Sequence, residues 1–218
     1  MSLTTIILAA GKSTRMLSLK SKLLFKISGE HIIEHVYRAA ASVNSKNIIC
    51  VLGNSPQQLK DFIQKNKIKS VDQKNPCGTA DAVKTAISSM PVNKNNKILI
   101  LCGDVPFISP VTLKKMISKL DNSDLCLGTY MQENPTGYGR IIRNNKKIVG
   151  IIEEKDADGK IKKINEINTG IICVNEGVLR KFIGKIKNNN KQKEYYLTDI
   201  IKLLSDNDYK ISSYTIKN

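Results

Sequence analysis

The stretch TTIILAAGKSTRM, residues 4–16, decides the fold of this chain because an apolar run passes directly into a loop of small residues. The apolar part predicts a strand over residues 4–10, and the loop continues at Gly11. Small residues let a ligand approach the backbone, whose free N–H groups bind a phosphate or the edge of a base. Lys12 and Arg15 follow closely and supply positive charge. The stretch therefore predicts a strand that leads into a binding loop, with an ordinary surface turn as the alternative.

The segment GKST, residues 11–14, matches the end of the phosphate-binding pattern Gly-x-x-x-x-Gly-Lys-Ser/Thr. That pattern needs a glycine at position 6, where this chain has Ile6 inside the predicted strand. The dinucleotide-binding pattern Gly-x-Gly-x-x-Gly is missing from this loop as well. The loop therefore belongs to neither of these two motifs.

Strand-like apolar runs and helical patterns alternate through the first half of the chain. Strands are predicted over residues 47–52, 69–71 and 97–102, and helices over residues 31–43, 56–66 and 79–89, with a further helix from Ser109 and Pro110. The run KILILC, residues 97–102, is typical of a strand buried on both faces. This alternation favours an α/β fold with a doubly wound, mostly parallel sheet of the Rossmann-like type.

The pattern changes after an apolar segment at residues 124–130. The sequence GRIIRNNKKIVGIIEEKD predicts a β-hairpin that turns at Asn144 and Asn145 and covers the site. A strand over residues 167–174, helices over residues 176–185 and 198–206, and a polar loop over residues 187–194 complete the prediction. Without an internal repeat or a linker, residues 1–218 are expected to form a single domain.

Composition places the chain among ordinary soluble globular domains. Its 218 residues suffice for a sizeable core, and 41% apolar with 25% charged residues is a usual balance. No apolar run approaches the ~20 residues that span a bilayer, and no basic segment precedes the first apolar run, so neither a membrane span nor a secretory signal is expected. The five scattered cysteines form no Cys-x-x-Cys pair. They are expected to be buried free thiols in a reducing cytoplasm.

The net charge of +16 raises the question of a nucleic-acid partner. The lysines are spread along the chain together with many Asn and Ile residues, which is what an AT-rich coding sequence supplies. The few aromatic residues are not interleaved with basic clusters, as a stacking surface for bases requires. We therefore expect a solvated, lysine-rich surface and no nucleic-acid binding, with a positive field that attracts an anionic small molecule.

Candidate metal chemistry lies where the buried strand over residues 97–102 ends. Gly103 and Asp104 follow that strand directly, in the segment LCGDVP. Ligands of doubly wound sheets bind at the carboxyl ends of the strands. A carboxylate at this position suits Mg²⁺, which takes one or two carboxylates together with substrate phosphates. The alternative is that Asp104 is a turn or helix-capping residue.

A second candidate metal motif is HIIEH, residues 31–35, which matches the zinc-peptidase pattern His-x-x-Glu-His. Two histidines four positions apart lie on one face of a helix, as zinc ligation requires. The pattern has only three fixed positions, however, and His31 is placed at the start of the predicted helix. We therefore interpret His31 and His35 as surface and core-edge residues.

Several segments together resemble a known family. The segment LAAGKSTRM, residues 8–16, followed by Lys22, is similar to the signature Leu-x-x-Gly-x-Gly-Thr-Arg-Met with a later Pro-Lys, which belongs to nucleotidyltransferases that make nucleotide sugars. The segments NPCGTADA, CGDVPFIS, NPTGYGRIIR, GIIEEKDA, EINTGI and EYYLTDII occur in this order and resemble the bacterial N-acetylglucosamine-1-phosphate uridylyltransferase domain. The likeness covers nearly the whole chain.

The resemblance implies roles for the matching residues. The implied nucleotide-binding residues are Leu8, Ala9, Ala10, Gly11, Gln73, Gly78, Thr79 and Gly103. Among these, Gln73 would read the uracil edge. The implied sugar-binding residues are Gly139, Glu153 and Asn168, with Tyr196 and Thr198 nearby. Arg15, Lys22 and Asp104 are implied as catalytic residues, the first two neutralising phosphates and Asp104 holding Mg²⁺.

The implied reaction joins UTP and N-acetylglucosamine-1-phosphate to give UDP-N-acetylglucosamine and pyrophosphate. The sugar phosphate attacks the α-phosphorus in line while pyrophosphate leaves. Because this nucleophile is already ionised, no general base is required, and the protein has to align two polyanions and neutralise their charge. A related transferase with another nucleotide or sugar phosphate, and a nucleotide-binding module without turnover, are the alternatives.

The chain departs from the family pattern at three places. Ser13 replaces the second glycine of the loop, and Ser21 replaces the proline before Lys22, which is expected to loosen the approach of that lysine. The sequence ends at Asn218, before the Val-Asn-Asn stretch that supplies a second metal ligand in the family and before the β-helix acetyltransferase domain of its bifunctional members. Either the sequence was cut short, or Mg²⁺ is held by Asp104, substrate and water alone, with reduced activity as the expected result. No acetyl transfer and a monomer are also expected of this chain.

Overall fold

A computed structural model describes residues 2–11, 21–53 and 55–217 of the chain. The strands are β1 (Ser2–Leu8), β2 (Lys26–Ile27), β3 (Glu30–His31), β4 (Asn47–Leu52), β5 (Lys69–Asp72), β6 (Asn96–Cys102), β7 (Leu125–Met131), β8 (Arg140–Asn144), β9 (Lys147–Ile152), β10 (Glu166–Asn175) and β11 (Ile211–Thr215). The α-helices are α1 (Ile32–Ala41), α2 (Gln57–Lys65), α3 (Thr79–Ser88), α4 (Pro110–Lys119), α5 (Glu176–Ile183) and α6 (Asp199–Ser205). The described residues contain no helix long and apolar enough to cross a membrane.

The central sheet has the strand order β11-β7-β10-β6-β1-β4-β5, with β8 and β9 attached beside β10. The pairs β1–β4, β1–β6, β4–β5 and β11–β7 are parallel, whereas β10 is antiparallel to both of its neighbours β6 and β7. The chain leaves β1 toward β4 on one side and returns later to β6 on the other side. The prediction of a doubly wound, mostly parallel sheet is confirmed, and its switch point lies between β1 and β6.

The sheet carries an apolar core on each face because its central strands end in continuous apolar runs, IIL in β1 and ILILC in β6. Successive side chains of a strand point to opposite faces. Ile6 and Ile100 accordingly belong to the core that packs under α3, α5 and α6, whereas Ile7 and Leu101 belong to the core under α1, α2 and α4. The run that was predicted as a doubly buried strand is β6, and its residues 96–101 are all buried.

The sequence analysis missed three strands and misplaced one. The edge strand β11 has the sequence ISSYT, whose polar residues hide its pairing with β7. The two-residue strands β2 and β3 are too short for a periodic pattern. Strand β1 begins at Ser2 and ends at Leu8, so that Ala9 and Ala10 lie beyond the strand rather than within it.

The predicted hairpin is formed by β8 and β9, but its turn is Asn145 and Lys146, one residue later than predicted, because Asn144 still pairs with Lys147. Asn145 has a φ of 56°, in the left-handed region that asparagine tolerates better than most residues. The hairpin is joined to β10 by the strand pair of Ile167 with Arg140 and by the Arg143 guanidinium, which donates to the Glu166 carboxylate. At the other end of the hairpin, Gly139 directly precedes β8 and Glu153 directly follows β9. Both are predicted site residues, and they therefore lie far from the turn.

The cysteine prediction is confirmed at four positions and wrong at one. All five cysteines are free, and Cys50, Cys126 and Cys173 are buried while Cys102 is partly buried. Cys77 is exposed because it lies in the loop before α3, outside the strands that bury the others. Burial raises the pKa of the Cys50 thiol to about 12, so that it stays protonated at neutral pH.

Candidate nucleotidyl-transfer site

The small-residue loop after β1 lies against the end of β6. The Gly103 backbone N–H donates to the Leu8 carbonyl oxygen at 2.9 Å, and a Cβ at Gly103 would lie 3.0 Å from that oxygen. On the other side, the Ala9 N–H donates to Val51 O at 2.9 Å. A Cβ at Gly53 would come within 2.9 Å of Ala10 O, so this glycine, which the sequence analysis missed, permits the close approach of the two loops.

Of the two cations predicted to neutralise phosphates near this loop, Arg15 lies outside the described residues and Lys22 lies within them. Gly11 is exposed at the end of the described segment, and the catalytic role of Arg15 stays a prediction. Lys22 opens a short 3-10 helix, Lys22–Leu24, and its ammonium group forms an ion pair with the Asp104 carboxylate. The Ser21 hydroxyl accepts from Leu23 N–H at 3.4 Å, so serine in place of proline still caps this turn and Lys22 still reaches Asp104.

Asp104 is the predicted magnesium ligand, and its environment fits that role in part. Its carboxylate remains 37% exposed at the carboxyl end of β6, beside the switch point of the sheet. Oxygen donors are what Mg²⁺ prefers, and this ion commonly takes one protein carboxylate and completes its shell with phosphate and water. No group of three or more His, Cys, Asp or Glu side chains that could hold a metal occurs in the described ranges. A single carboxylate could hold a metal ion only if a substrate and water completed its shell.

The two histidines of the HIIEH segment bind backbone carbonyls instead of forming a metal pair. His31 Nδ1–H donates to Leu24 O at 2.8 Å, and His35 Nε2–H donates to Ile27 O at 3.0 Å. Both acceptors belong to the segment around β2, so the histidines tie that segment to α1. Both histidines are partly buried, which agrees with their interpretation as surface and core-edge residues.

The predicted base-reading residues come together between β5 and α3. Gln73 follows β5 and is only 3% exposed, and its backbone N–H donates to Leu52 O at 2.7 Å. Its side-chain Nε2 donates to Gly78 O at 3.2 Å and to Asp81 Oδ2 at 2.6 Å. Gln73 and Gly78 were predicted together as nucleotide-binding residues, and the hydrogen bond from Nε2 to the Gly78 carbonyl brings them into contact. Asp81 was not predicted.

Gly78 has a backbone conformation that no other residue adopts easily. Its φ is +123° and its ψ is 175°, and a Cβ there would lie 2.5 Å from the Tyr195 carbonyl oxygen. Tyr195 N–H donates to Cys77 O at 2.7 Å, and Ala80 N–H donates to Tyr195 O at 2.9 Å. Beside this junction, Thr79 Oγ1 accepts from Leu197 N–H at 2.9 Å. These main-chain contacts gave no signal in the sequence.

The predicted sugar-binding residues also form one cluster. Thr198 Oγ1 donates to Glu153 Oε1 at 2.9 Å, and a Cβ at Gly139 would lie 3.1 Å from Glu153 Oε2. Asn168 N–H donates to Gly139 O at 2.8 Å. Tyr196 is buried next to this cluster in the chain, but its hydroxyl accepts from Gln192 Nε2–H at 2.6 Å. Gly139, Glu153, Asn168 and Thr198 are therefore linked directly, and Tyr196 only by its neighbourhood.

The sugar cluster is connected to the end of β6 through β10, at the point between Asn168 and Ile172 where the pairing of β10 with β7 shifts in register. Asn168 Oδ1 accepts from Gly170 N–H at 3.0 Å. The Gly170 carbonyl oxygen in turn lies 3.7 Å from Cys102 Sγ, which donates to it. Gly170 has a φ of +77°, and a Cβ there would lie 2.8 Å from that sulfur. Since Cys102 precedes Gly103 and Asp104, the predicted sugar and metal residues share one edge of the sheet.

Burial perturbs the carboxyl group at the centre of the sugar cluster. The pKa of Glu153 lies above its ordinary value of 4.5, chiefly because burial disfavours the charged form; the hydrogen bond from Thr198 opposes the shift, and Asp199 and Asp156 add to it. Burial likewise raises the pKa of Asp199, again with a contribution from Asp156. Glu153 is therefore a carboxyl group held partly desolvated, which strengthens any hydrogen bond it makes to a ligand.

We expect Glu153→Gln to flatten the pH dependence of stability. Because the folded-state pKa is raised, the native protein holds this proton more tightly than the unfolded chain, so stability is full below about pH 4.5 and falls as the pH rises through the raised pKa. Thermal unfolding followed across this range should show a smaller decline for Glu153→Gln than for the unchanged protein. Glu133→Gln, at an exposed position, should keep the original decline; equal curves for all three proteins would contradict the expectation.

Comparisons with known proteins identify the relatives of this sequence. The MobA-like NTP transferase domain matches residues 5–164, most of the chain. The bifunctional protein GlmU of Francisella tularensis subsp. novicida (strain U112) is 44% identical over 202 residues, which cover 92% of this chain and 44% of that protein. GlmU of Francisella tularensis subsp. holarctica (strain OSU18) matches with the same identity and coverage. The chain thus spans less than half the length of these curated relatives.

Solved structures share the fold at low sequence identity. A UDP-glucose pyrophosphorylase complexed with UDP-glucose superposes with a TM-score of 0.82 at 18% identity, covering 100% of this chain and 91% of that one. The inositol-1-phosphate CTP transferase of T. maritima gives a TM-score of 0.73 at 17% identity, covering 97% and 84%. The fold is that of the nucleotidyltransferases, and by the family match this chain is a member of the MobA-like NTP transferase domain family.

Proposed function

We propose that this chain transfers a uridylyl group from UTP to N-acetylglucosamine-1-phosphate, giving UDP-N-acetylglucosamine and pyrophosphate. One observation carries the proposal: residues taken from six separate segments of the sequence converge on the edge of the sheet beside the switch point. The 44% identity to GlmU supports the choice of this reaction over others in the family.

The geometry suggests how the two substrates are arranged. In the loop after β1, Ala10 and Gly11 would offer backbone N–H groups to the nucleotide phosphates, and Gln73 with Gly78 would form the wall that faces the base. The cluster of Glu153, Asn168 and Thr198 offers carboxylate, amide and hydroxyl groups, which suit the hydroxyl and acetamido groups of a sugar. The two subsites meet at the end of β6, where the phosphates of both substrates would lie.

Lys22 and Asp104 stand where the phosphates would meet. The ammonium group of Lys22 would exchange its ion pair with Asp104 for contacts with phosphate oxygens, and so hold the two polyanions together. Asp104 would then be available as the protein ligand of Mg²⁺. When bound there, Mg²⁺ would neutralise charge that develops on the phosphate oxygens. The remaining task of the protein is alignment for in-line attack, since the sugar phosphate is already ionised.

The fold alone does not choose the base or the sugar. The superposed structures include a UDP-glucose pyrophosphorylase and an inositol-1-phosphate CTP transferase, which differ in both. Within this chain, Gln73 and the Glu153 cluster are the side chains that would make that choice. No contact of the described residues favours a pure binding module over a transferase.

A substrate panel tests the proposal. The purified chain, with Mg²⁺, is offered UTP, CTP or dTTP against N-acetylglucosamine-1-phosphate or glucose-1-phosphate, and pyrophosphate release is measured. We expect release to be fastest with UTP and the acetylated sugar, and mass spectrometry to identify UDP-N-acetylglucosamine. Faster release with another pair would overturn the assignment of substrates. Nucleotide binding without release from any pair would overturn the assignment of a transferase.

A further inference from the structure

The amide group of Gln73 is held in one orientation by two acceptors. One amide atom lies 3.2 Å from Gly78 O and 2.6 Å from Asp81 Oδ2. A backbone carbonyl accepts hydrogen bonds only, and so does an ionised carboxylate. The atom between them must therefore be Nε2, because an amide oxygen there would face two other oxygens. The flipped orientation of Gln73 is excluded by electrostatic repulsion.

This orientation decides which atom of Gln73 remains for a ligand. Both amide hydrogens of Nε2 are engaged, one by Gly78 and one by Asp81. Among the described residues no hydrogen bond to Oε1 is found, and Oε1 is not one of their buried polar atoms that lack a partner, so this oxygen keeps some exposure although the side chain as a whole is nearly buried. Gln73 therefore presents a hydrogen-bond acceptor to the base subsite. An acceptor suits the N3–H group of uracil and repels the N3 lone pair of cytosine.

We propose that Asp81 is a positioning residue that makes the site select uracil over cytosine by locking the Gln73 amide. This inference rests on the proposed function, in which Gln73 faces the base. Asp81 lies in the first turn of α3 and reaches Gln73 with a charge-assisted hydrogen bond, about twice as strong as a neutral one. The Gly78 carbonyl alone, at 3.2 Å, holds the amide less firmly. Without Asp81, the amide can rotate and offer Nε2–H to cytosine N3.

Two other roles for Asp81 give different results. An acidic residue in the first turn of a helix stabilises that helix, and losing this effect would lower the thermal stability without changing base preference. A carboxylate near an anionic ligand also repels it, and removing that repulsion would strengthen the binding of UTP and CTP by the same factor. Only the loss of the hydrogen bond that holds the Gln73 amide in one orientation changes the ratio of the UTP and CTP affinities.

The test is calorimetric titration of the purified chain with UTP and with CTP, without sugar phosphate. The unchanged protein should prefer UTP. For Asp81→Ala we expect the UTP-to-CTP affinity ratio to fall about tenfold or more, because an amide that rotates freely no longer rejects the wrong base. Asp81→Asn, whose carbonyl oxygen can still accept from Nε2, should restore part of the preference. Asp72→Asn removes an equal charge next to Gln73 in the chain and should leave the ratio unchanged.

The outcomes separate this proposal from the proposed function. An unchanged affinity ratio in Asp81→Ala overturns the proposal, whether both affinities fall, both rise or neither changes. A wild-type chain that binds CTP as tightly as UTP overturns it as well. Because the titration needs binding alone, a chain that shows no turnover in the substrate panel still reveals whether Asp81 sets the base preference. Melting curves of each variant confirm that the proteins compared are folded.

Discussion

Replacing Asp104 with asparagine should lower the rate of pyrophosphate release by about 10²- to 10³-fold, the usual cost of removing one electrostatic group from a transfer site. Asparagine keeps the size of the side chain and a polar contact with Lys22, but it removes the negative charge that would hold a divalent cation. The loss should appear mainly in kcat, since the backbone loop after β1 and the Gln73 wall would still bind the nucleotide. Steady-state measurement of pyrophosphate release at saturating UTP gives the comparison.

The chain offers a matched control for this variant. Lys97 and Asp121 form another lysine–aspartate ion pair, 2.7 Å apart, at the opposite end of β6. Asp121→Asn therefore removes the same charge from the same kind of pair, away from the predicted site, and should keep the original rate. Asp104→Asn should melt near the temperature of the unchanged protein, because both partners of its ion pair are partly exposed and such pairs contribute little to stability. Asp121→Asn leaves the buried Lys97 bonded to Ile117 O, so its melting curve is recorded to show that this control is folded. Equal rates for Asp104→Asn and the unchanged protein would remove Asp104 from the catalytic residues.

Replacing Gly78 with alanine should destabilise the protein by about 3 kcal/mol and weaken UTP binding at the same time. The new Cβ would lie 2.5 Å from Tyr195 O, and the φ of +123° disfavours any residue with a Cβ. To make room, the loop before α3 and the segment at Tyr195 must separate, which breaks the bonds from Tyr195 N–H to Cys77 O and from Ala80 N–H to Tyr195 O. The Gln73 amide then loses the Gly78 carbonyl as a fixed acceptor.

Two further glycine variants separate strain from collision. Gly29 also has a positive φ, +86°, but nothing lies within 4 Å of a Cβ built there. Gly29→Ala therefore reports the backbone cost alone. Gly159→Ala meets neither obstacle and should melt like the unchanged protein. Each kcal/mol lost lowers the melting temperature by about 2–4 °C in a chain of this size. A Gly78→Ala protein that melts no lower than Gly29→Ala would show that the contact with Tyr195 gives way without cost.

The parts of the site that could be predicted lie at the ends of apolar strands. The run KILILC predicts a doubly buried strand, and Asp104 follows it directly, so pattern and chemistry agree. Gln73 could be placed only through the family resemblance, since a glutamine after the short strand β5 carries no signal of its own. The same resemblance brought Gly139, Glu153 and Asn168 into consideration, and in the structure Asn168 N–H donates to Gly139 O while Gly139 lies against the Glu153 carboxylate.

The parts that could not be predicted depend on contacts between distant backbone atoms. The junction of Gly78 with Tyr195 uses N–H and C=O groups, which every residue type shares, so no side-chain pattern records it. Asp81 looks in the sequence like an ordinary acidic residue of a helix start, and only the geometry shows that it holds Gln73. Arg140 is a third case, because a buried arginine paired with Glu154 resembles an exposed strand residue until the hairpin is folded.

The segment from Tyr195 to Thr198 has a consequence for how the substrates bind. Its first residue is bonded to the loop at Gly78, and its last donates to Glu153, so four consecutive residues contact both the base side and the sugar side. A substrate that draws one end of this segment inward moves the other end with it. UTP and the sugar phosphate should therefore strengthen each other's binding, and by thermodynamic linkage each must do so by the same factor. The affinity for either substrate would then depend on whether the other substrate is already bound.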